Sequence, residues 1–465
     1  LMRHTNTVNP ADYLNPDGTE KTYNASIQNP FYFTENAFLK DNVNRVIGNL
    51  GAEFKANDWL TFNYKAGIDN YTDFRQIYNE KGLLISTLGS MTEQRISYSE
   101  VNSNFYARAS KQFGEKWLVN FLLGHSYTHI NRTNLSLNGA QAVVPNVESI
   151  NNYNVYTTLT YPGKKNIIGI FGDLNVSYDN TVFLSVTGRN DWSSTLPQSN
   201  RSFFYPSTSL SYVFTETLGL QQNDIFNFGK LRLSYAEVGK DADPYQIGEY
   251  YSTLAAFDGV SGVRRDIKIG SESLRPERTK GLEVGGEFHF FKSRLTLDAN
   301  YAILNSIDQI VPVPISYASG YDIFVTNAGK IRNKSLEFLL TATVVKNDDF
   351  KWDVSANWSR TKGRVLSMPP GVNEIQFNPE SPWVKQIIKT GGRPGDWYGW
   401  PYTRVTDQNS EYNGQLVIGA DGYPIIPQPL SNNYLIGNAY PDWTGGLGST
   451  LAYKGITFSF MFNFR

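Results

Sequence analysis

The sequence of 465 residues contains no cysteine and only four histidines. Without cysteine the chain has no disulfide framework, no thiolate ligand for a metal and no cysteine nucleophile. The histidines are His4, His125, His129 and His289. On a strand, the spacing of His125 and His129 places them on one face about 13 Å apart, too far to share a metal. We therefore predict no metal site and no cofactor.

Charge is scarce and nearly balanced. Charged residues make up 18% of the chain and the formal net charge is −1, whereas a soluble globular protein has roughly 25% charged residues. A nucleic-acid-binding protein needs a basic excess or a basic face to neutralise phosphates. The charge balance therefore argues against nucleic acid as a partner.

Long hydrophobic runs are also missing. A membrane-spanning helix needs roughly 20 apolar residues in succession, and no stretch approaches that length. Among the longest apolar runs is 456–464, which Thr457, Ser459 and Asn463 interrupt. Helical membrane proteins are therefore excluded. A membrane β-barrel is not, because its strands are only half apolar and have a weak hydropathy signal.

Aromatic residues are abundant, and apolar residues alternate with polar ones. Aromatics reach 14% within a hydrophobic fraction of only 40%. In 60–69 the residues Leu60, Phe62 and Tyr64 alternate with Thr61 and Asn63, and 352–359 and 456–464 repeat this pattern. Such period-two alternation is typical of strands with one apolar face. The fold class is therefore all-β, either a membrane barrel or a large soluble protein.

We predict fourteen strands. They lie near 43–56, 60–71, 96–112, 117–131, 166–178, 182–191, 204–214, 228–238, 278–291, 294–306, 328–345, 351–365, 441–453 and 456–465.

The connections between these strands alternate in length. Tight turns such as 57–59, 179–181 and 454–455 alternate with long polar loops near 72–95, 132–165, 192–203, 239–277, 307–327 and 366–440. Short periplasmic turns and long extracellular loops are typical of an outer-membrane barrel. We therefore favour an antiparallel transmembrane β-barrel over a soluble all-β protein. Plugged barrels have about 22 strands, so we expect further strands and a plug domain outside this chain, which begins at Leu1 without a signal sequence.

Aromatic and polar residues in the long loops are candidates for contact with a ligand or with a lid protein. Aromatic rings stack on sugars or peptide side chains, and nearby Asp and Arg groups fix orientation. The candidates are Trp192, Tyr250, Tyr251, Arg393, Asp396, Trp397, Tyr398 and Trp400. Aromatic girdles also place Trp and Tyr at membrane interfaces irrespective of function. We assign to such girdles Trp59, Trp117, Trp352, Trp358 and Trp443.

No pattern predicts catalysis. The glycine-rich stretch 391–395 lies in a polar loop without the strand-to-helix context of a phosphate loop. Carboxylate pairs such as Asp241/Asp243 and Asp348/Asp349 fall in loops and turns, where they are usually solvated. We predict no catalytic residue and no enzyme.

Five short sequence strings, each occurring once, follow one another along the chain. They are RNDWSSTLP at 189–197, YAEVG at 235–239, LRPERTKGLEVG at 274–285, NAGKIRNKSLE at 327–337 and PDWTGG at 441–446. In the third and fourth, Glu283 and Glu337 occupy the polar phase of their strands. Because a charge facing lipid is costly, we predict that both glutamates face the barrel lumen.

Together these strings resemble the SusC/RagA family of TonB-dependent outer-membrane transporters of Bacteroidetes. Ser335 stands where that family's pattern has glycine. The resemblance implies a barrel domain over 1–465, with the plug domain and TonB box not in this chain. It further implies an outer-membrane importer of oligosaccharides or oligopeptides, driven through TonB and capped by a SusD-like lipoprotein. A passive porin, or a barrel that serves protein secretion or a structural complex, stays open as an alternative.

Overall fold

The computed structural model describes residues 9–21, 27–253, 260, 262–377, 384–426 and 434–465. In chain order the strands are β1 (Ala37–Lys55), β2 (Leu60–Asn79), β3 (Ser90–Phe113), β4 (Trp117–Ala142), β5 (Tyr153–Tyr178), β6 (Val182–Ser193), β7 (Ser202–Val213), β8 (Phe226–Lys240), β9 (Tyr251–Thr253), β10 (Val263–Arg265), β11 (Lys268–Ile269), β12 (Glu277–Phe290), β13 (Leu295–Ile307), β14 (Ile310–Pro314), β15 (Ile323–Asn327), β16 (Lys330–Lys346), β17 (Phe350–Ser367), β18 (Glu374–Phe377), β19 (Val384–Lys389), β20 (Asp396–Gly399), β21 (Tyr434–Asn438), β22 (Thr444–Tyr453) and β23 (Ile456–Phe464). The helices are α1 (Pro30–Asn36) and α2 (Phe214–Thr217), with single 3-10 turns at Ile150–Asn152 and Tyr317–Ser319.

Fourteen of the strands form one antiparallel sheet in the order β1 to β8, β12, β13, β16, β17, β22 and β23. The other strands lie in the long connections, where β14, β15 and β11 form one small sheet and β18 to β21 another.

Two-residue type I′ turns need positive φ at both central positions. Asp179 and Asn180 meet this with φ of 52° and 53°, and Lys454 and Gly455 with 45° and 89°.

All fourteen predicted strands are present in the predicted order, which confirms the antiparallel barrel fold. Several extend further into the long loops than predicted. The loop predicted at 132–165 is mostly strand, since β4 continues to Ala142 and β5 begins at Tyr153. Apolar residues are sparse at the end of β4, where 131–142 contains only Leu135, Leu137, Ala140 and Ala142. The alternation therefore fades there although backbone pairing continues.

One face of the sheet is apolar and uncovered. We call it the apolar face and define it as the side of the sheet that carries Phe62, Phe105, Phe121, Leu174 and Val186. Further along this face, Leu123 is 52% exposed and Leu233 is 47% exposed. Exposure of so large a contiguous apolar surface to water is unfavourable, so this face requires an apolar covering. None of the described helices is long and apolar enough to cross a membrane.

The opposite face, which we call the polar face, carries hydrogen-bonded and charged side chains. Nη2 of Arg232 donates to both carboxylate oxygens of Asp298 at 2.8 Å. Thr187 and Ser207 share a hydrogen bond of 2.6 Å between their hydroxyls on neighbouring strands. A closed barrel with the apolar face outward would place these groups around its lumen.

Buried apolar clusters lie among the long connections and at the adjoining ends of the wall strands. Leu196, Ala242, Leu274 and Val325 form one such cluster and come from three different connections. Tyr78, Met91 and Tyr153 form a second cluster at the same end of the sheet. The long loops are therefore folded structures that pack on one another.

Candidate functional site

A pocket of about 430 Å³ lies between the polar face and the longest connection, residues 368–443. The wall contributes Ser306, Asn333, Ser359, Thr361 and Gly363, all of the polar phase. The connection contributes Arg393, Pro394, Asn438, Tyr440, Pro441 and Trp443.

The connection is held against the wall by backbone hydrogen bonds to β17. Gly391 N donates to the carbonyl of Val365 at 2.9 Å, and Val365 N donates to the carbonyl of Gly392 at 3.0 Å. Gly391 has a φ of +83°, a left-handed conformation that glycine adopts without strain. Gly363 lets the chain approach closely, because a Cβ there would lie 2.9 Å from Cδ of Pro394.

Asp396 organises the corner of this connection. Its side chain is buried, and one carboxylate oxygen accepts the backbone N–H of Arg393 at 2.8 Å. The other oxygen accepts Nδ2 of Asn438 at 2.8 Å. Nη1 of Arg393 in turn lies 3.1 Å from Oδ1 of Asp442. A buried carboxylate that is satisfied in this way positions the loop and is not free to bind a ligand.

The lining of the pocket combines apolar groups, such as Ile331 and Pro394, with polar ones and is nearly uncharged. Hydroxyl and amide groups such as Thr361 and Asn333 line the wall, and Arg393, already paired with Asp442, is the only charged side chain among the lining residues. Tyr440 and Trp443 are 62% and 42% exposed. Exposed aromatic rings beside neutral donors and acceptors suit a polar ligand that stacks and forms hydrogen bonds.

The other loop candidates do not converge on this pocket. Tyr398 is buried, with Nζ of Lys389 4.4 Å from its ring centroid. Trp397 and Trp400 lie partly buried in and after β20. Both belong to the same connection as the pocket but are not among its lining residues.

Tyr250 and Tyr251 lie in a different connection, between β8 and β12. Tyr250 makes an edge-to-face contact of 5.8 Å with Tyr245, and burial raises its pKa. Tyr251 begins β9 and is 66% exposed. Phe257, another aromatic residue of this loop, lies outside the described residues.

Trp192 is part of strand β6 and does not open a loop, because the hydrogen bonding of β6 continues to Ser193. It shares the apolar face with Leu184 and Val186, opposite Ile168 on β5. Its side chain is thus displayed on the face away from the pocket, as expected from the period of two in a strand.

Glu283 and Glu337 both lie on the polar face, separated by strand β13. Glu283 is opposite Ala302 of that strand, and Glu337 is opposite Asn300. Both are exposed, and neither lines the pocket.

Sequence reasoning missed most of the pocket. The polar phase of the predicted strands contains Asn333 and Thr361, so a search for polar-phase residues near the longest loop would have found the wall. Trp443, assigned above to an aromatic girdle, borders the pocket instead. Within the described ranges no three His, Asp or Glu side chains are grouped as metal ligands would be.

Comparisons with known proteins agree with this architecture. Residues 2–457 match the family described as TonB dependent receptor-like, beta-barrel. The chain is 25% identical to TonB-dependent receptor P3 of Formosa agariphila over 96% of its own length and 47% of the relative. It is 22% identical to TonB-dependent receptor SusC of Bacteroides thetaiotaomicron, over 96% of its length and 46% of the relative. The chain thus spans about half the length of these curated relatives.

The same fold is found in a solved transporter. A structure of the RagAB peptide transporter superposes with a TM-score of 0.78 at 17% identity, covering 96% of this chain and 50% of the other. This family is one of receptors and transporters, not of enzymes. The family match over residues 2–457 shows that the chain belongs to the TonB-dependent receptor family. Its β-barrel is of the SusC/RagA type.

Proposed function

We propose that this chain forms the wall of an outer-membrane importer for oligosaccharides or oligopeptides, driven through TonB and capped by a SusD-like lipoprotein. The relatives support the proposal by their names, one being SusC and another a RagAB peptide transporter. A plug domain, supplied by sequence outside this barrel, would close the lumen and carry the contact with TonB.

The observation that carries the proposal is the pocket on the polar face. A long connection folds back on the wall here and creates a recess of about 430 Å³. A recess of this size with aromatic rings and neutral polar groups fits a segment of a nutrient oligomer. Glu283 and Glu337, on the same face, would then line the passage.

The apolar face supports a location in the outer membrane. Its exposed side chains would contact the bilayer, and the polar face would surround the lumen. Trp59 and Trp117 lie near the short turns, where an interfacial girdle is expected. The long connections would then face the exterior, where both lid and nutrient arrive.

The test is uptake by cells that express the whole receptor. Labelled oligosaccharides and oligopeptides are offered in parallel, with and without a protonophore that removes the energy for TonB. Energy-dependent uptake of either class supports the importer. Uptake that continues unchanged with the protonophore indicates a porin, and no uptake together with a co-purified secretion partner indicates the secretion alternative.

The pocket is tested in the same assay with two tryptophan variants. Trp443→Ala removes an aromatic ring from the pocket and is expected to raise the KM of uptake roughly tenfold. Trp59→Ala is the control, because Trp59 is similarly exposed, at 48% against 42% for Trp443, but lies at the opposite end of the sheet. Equal effects of the two variants would remove the pocket from the transport path.

A further inference from the structure

Cations face one another directly on strands β16 and β17. Arg332 is opposite Arg364, and Lys334 is opposite Lys362. All four side chains lie on the same side of the sheet as Leu336, Phe338 and Trp358, which is the apolar face. We call these four residues, together with Arg360 opposite Leu336, the basic ladder.

The basic ladder lacks compensating carboxylates. Among the described residues none of its five members takes part in an ion pair, and Nε of Arg332 donates to the neutral amide of Asn305 at 2.8 Å. By contrast Lys280, on the same face of β12, lies 3.1 Å from Oε1 of Glu237. Like charges directly opposite each other destabilise a sheet. An anion bound between the facing cations would offset this repulsion.

The position of the ladder indicates which anion. Toward the short-turn end the same face continues as Leu336, Phe338 and Leu340, which are 36%, 38% and 38% exposed. The ladder begins where this apolar band ends, on the side of the long connections. A surface cleft of about 450 Å³ lies between Arg332, Lys334, Lys362 and Arg364 and reaches Arg393 at the edge. A ligand that fits both surfaces has an anionic head and a hydrocarbon tail.

We propose that the basic ladder binds the phosphate groups of an outer-leaflet lipid whose acyl chains lie along Leu336 and Phe338. Arginine forms bidentate hydrogen bonds with phosphate, and lysine adds positive charge at the surface. The bound phosphate would relieve the repulsion between the facing cations and tie the barrel to its lipid neighbours. The proposal rests on the outer-membrane location proposed above but not on the nature of the nutrient.

The experiment measures lipid retained by the whole receptor. The receptor is extracted from outer membranes, exchanged into a zwitterionic detergent, and its bound phosphorylated lipid is quantified by mass spectrometry. The variant is Lys334→Gln with Lys362→Gln. The control is Lys346→Gln with Lys351→Gln, because Lys346 and Lys351 face each other on the same two strands at the opposite end, where Lys351 pairs with Asp353.

We expect the wild type and the control to retain phosphorylated lipid. The ladder variant should retain roughly tenfold less phosphorylated lipid than the wild type. Equal retention in both double variants would overturn the proposal, and so would a wild type that lacks phosphorylated lipid. A second arm adds inorganic phosphate during washing. If phosphate alone is then found bound, with no lipid mass in any sample, the ladder is a free-anion site. An acidic protein that is bound in place of lipid and lost from the ladder variant overturns the lipid assignment likewise.

Two controls separate this outcome from other failures. Membrane fractionation shows whether the receptor reaches the outer membrane, so that a wrong location is distinguished from a missing lipid site. Heat-dependent mobility on gels shows whether each variant folds. If the lysine variant fails to fold, Arg332→Gln with Arg364→Gln tests the other facing pair by the same measurement.

Discussion

Gly169 of β5 lies directly opposite Asp191 of β6, and a Cβ on Gly169 would lie 2.3 Å from Oδ1 of Asp191. The missing side chain leaves room for a buried polar cluster on the polar face. In it Asp191 lies 2.7 Å from Nη2 of Arg189, which also donates to Oγ of Ser126 at 2.8 Å. Tyr205 donates its hydroxyl to the same carboxylate. The first part of the RNDWSSTLP string thus builds an ion pair that requires glycine on the neighbouring strand.

Gly169→Ala is expected to destabilise the barrel. The added Cβ would push apart Asp191 and Arg189, at a cost of about 1–3 kcal/mol in the free energy of unfolding. Gly172→Ala is the matched control on the same strand, because a Cβ there would meet only ordinary contacts at 3.6 and 3.9 Å. Thermal unfolding of the whole receptor in detergent measures both. A loss of stability in Gly172→Ala as large as in Gly169→Ala would contradict the role of the cluster.

The cluster of Tyr78, Met91 and Tyr153 predicts different outcomes for two similar substitutions. Tyr78 donates its hydroxyl to Glu80, whereas the buried hydroxyl of Tyr153 has no hydrogen-bond partner among the described residues. Tyr78→Phe is expected to cost about 1–2 kcal/mol, because Glu80 loses a donor. Tyr153→Phe is expected to be neutral or slightly stabilising. Hydrogen exchange of the backbone around this cluster, measured in both variants, compares them.

The same cluster makes local stability depend on pH in the alkaline range. Burial raises the pKa of Tyr153 to about 12, and burial with the hydrogen bond to Glu80 raises that of Tyr78 as well. An unfolded tyrosine ionises near pH 10. The stabilisation is therefore complete below about pH 10 and is lost as the pH rises toward about 12. Tyrosinate absorbance should show fewer late-titrating groups in Tyr153→Phe than in wild type, and an unchanged titration would contradict this assignment.

Asp241 links two of the long connections to the end of the wall. Its carboxylate lies 2.6 Å from Nζ of Lys165 and accepts the hydroxyl of Ser193 at 2.5 Å. Asp241→Ala is expected to loosen the neighbouring cluster around Leu196 and Ala242 by about 1–3 kcal/mol, because it leaves Lys165 without its partner. Hydrogen exchange in 194–201 and 241–253 measures the effect. Asp243→Ala is the control, since Asp243 is exposed two residues away, and it should leave the exchange rates unchanged.

Asp396 is expected to control the order of the connection over the pocket. Asp396→Ala removes the acceptor for Arg393 N and for Asn438 Nδ2, each loss costing about 1–3 kcal/mol locally. We expect faster proteolysis within 391–399 and 434–443. Asp421→Ala, in an exposed turn of the same connection, removes a hydrogen bond to Tyr423 N of 3.1 Å and serves as control. Equal proteolysis of the two variants would show that the corner is held by other contacts.

The wall could be predicted from sequence because its signals are local. Alternation places Leu60, Phe62 and Tyr64 on one face whatever the rest of the chain does, and hairpin turns such as 454–455 fix which strands are neighbours. The long-loop ends of β4 and β5 were not predicted, for the same reason. Their pairing persists, but few apolar residues alternate with polar ones there, so the period-two pattern is weak.

Only the tertiary structure decided which polar residues meet. The sequence by itself determined the number and order of the wall strands, the two faces and the family. It could not show that Trp443 borders a pocket or that the carboxylate of Asp396 is hydrogen-bonded within its own loop. Nor could it show that Lys334 lies opposite Lys362 on the neighbouring strand. Those relationships depend on register between strands and on a connection that folds back onto the wall. They are set by packing and hydrogen bonding between residues distant in sequence, which no local pattern encodes.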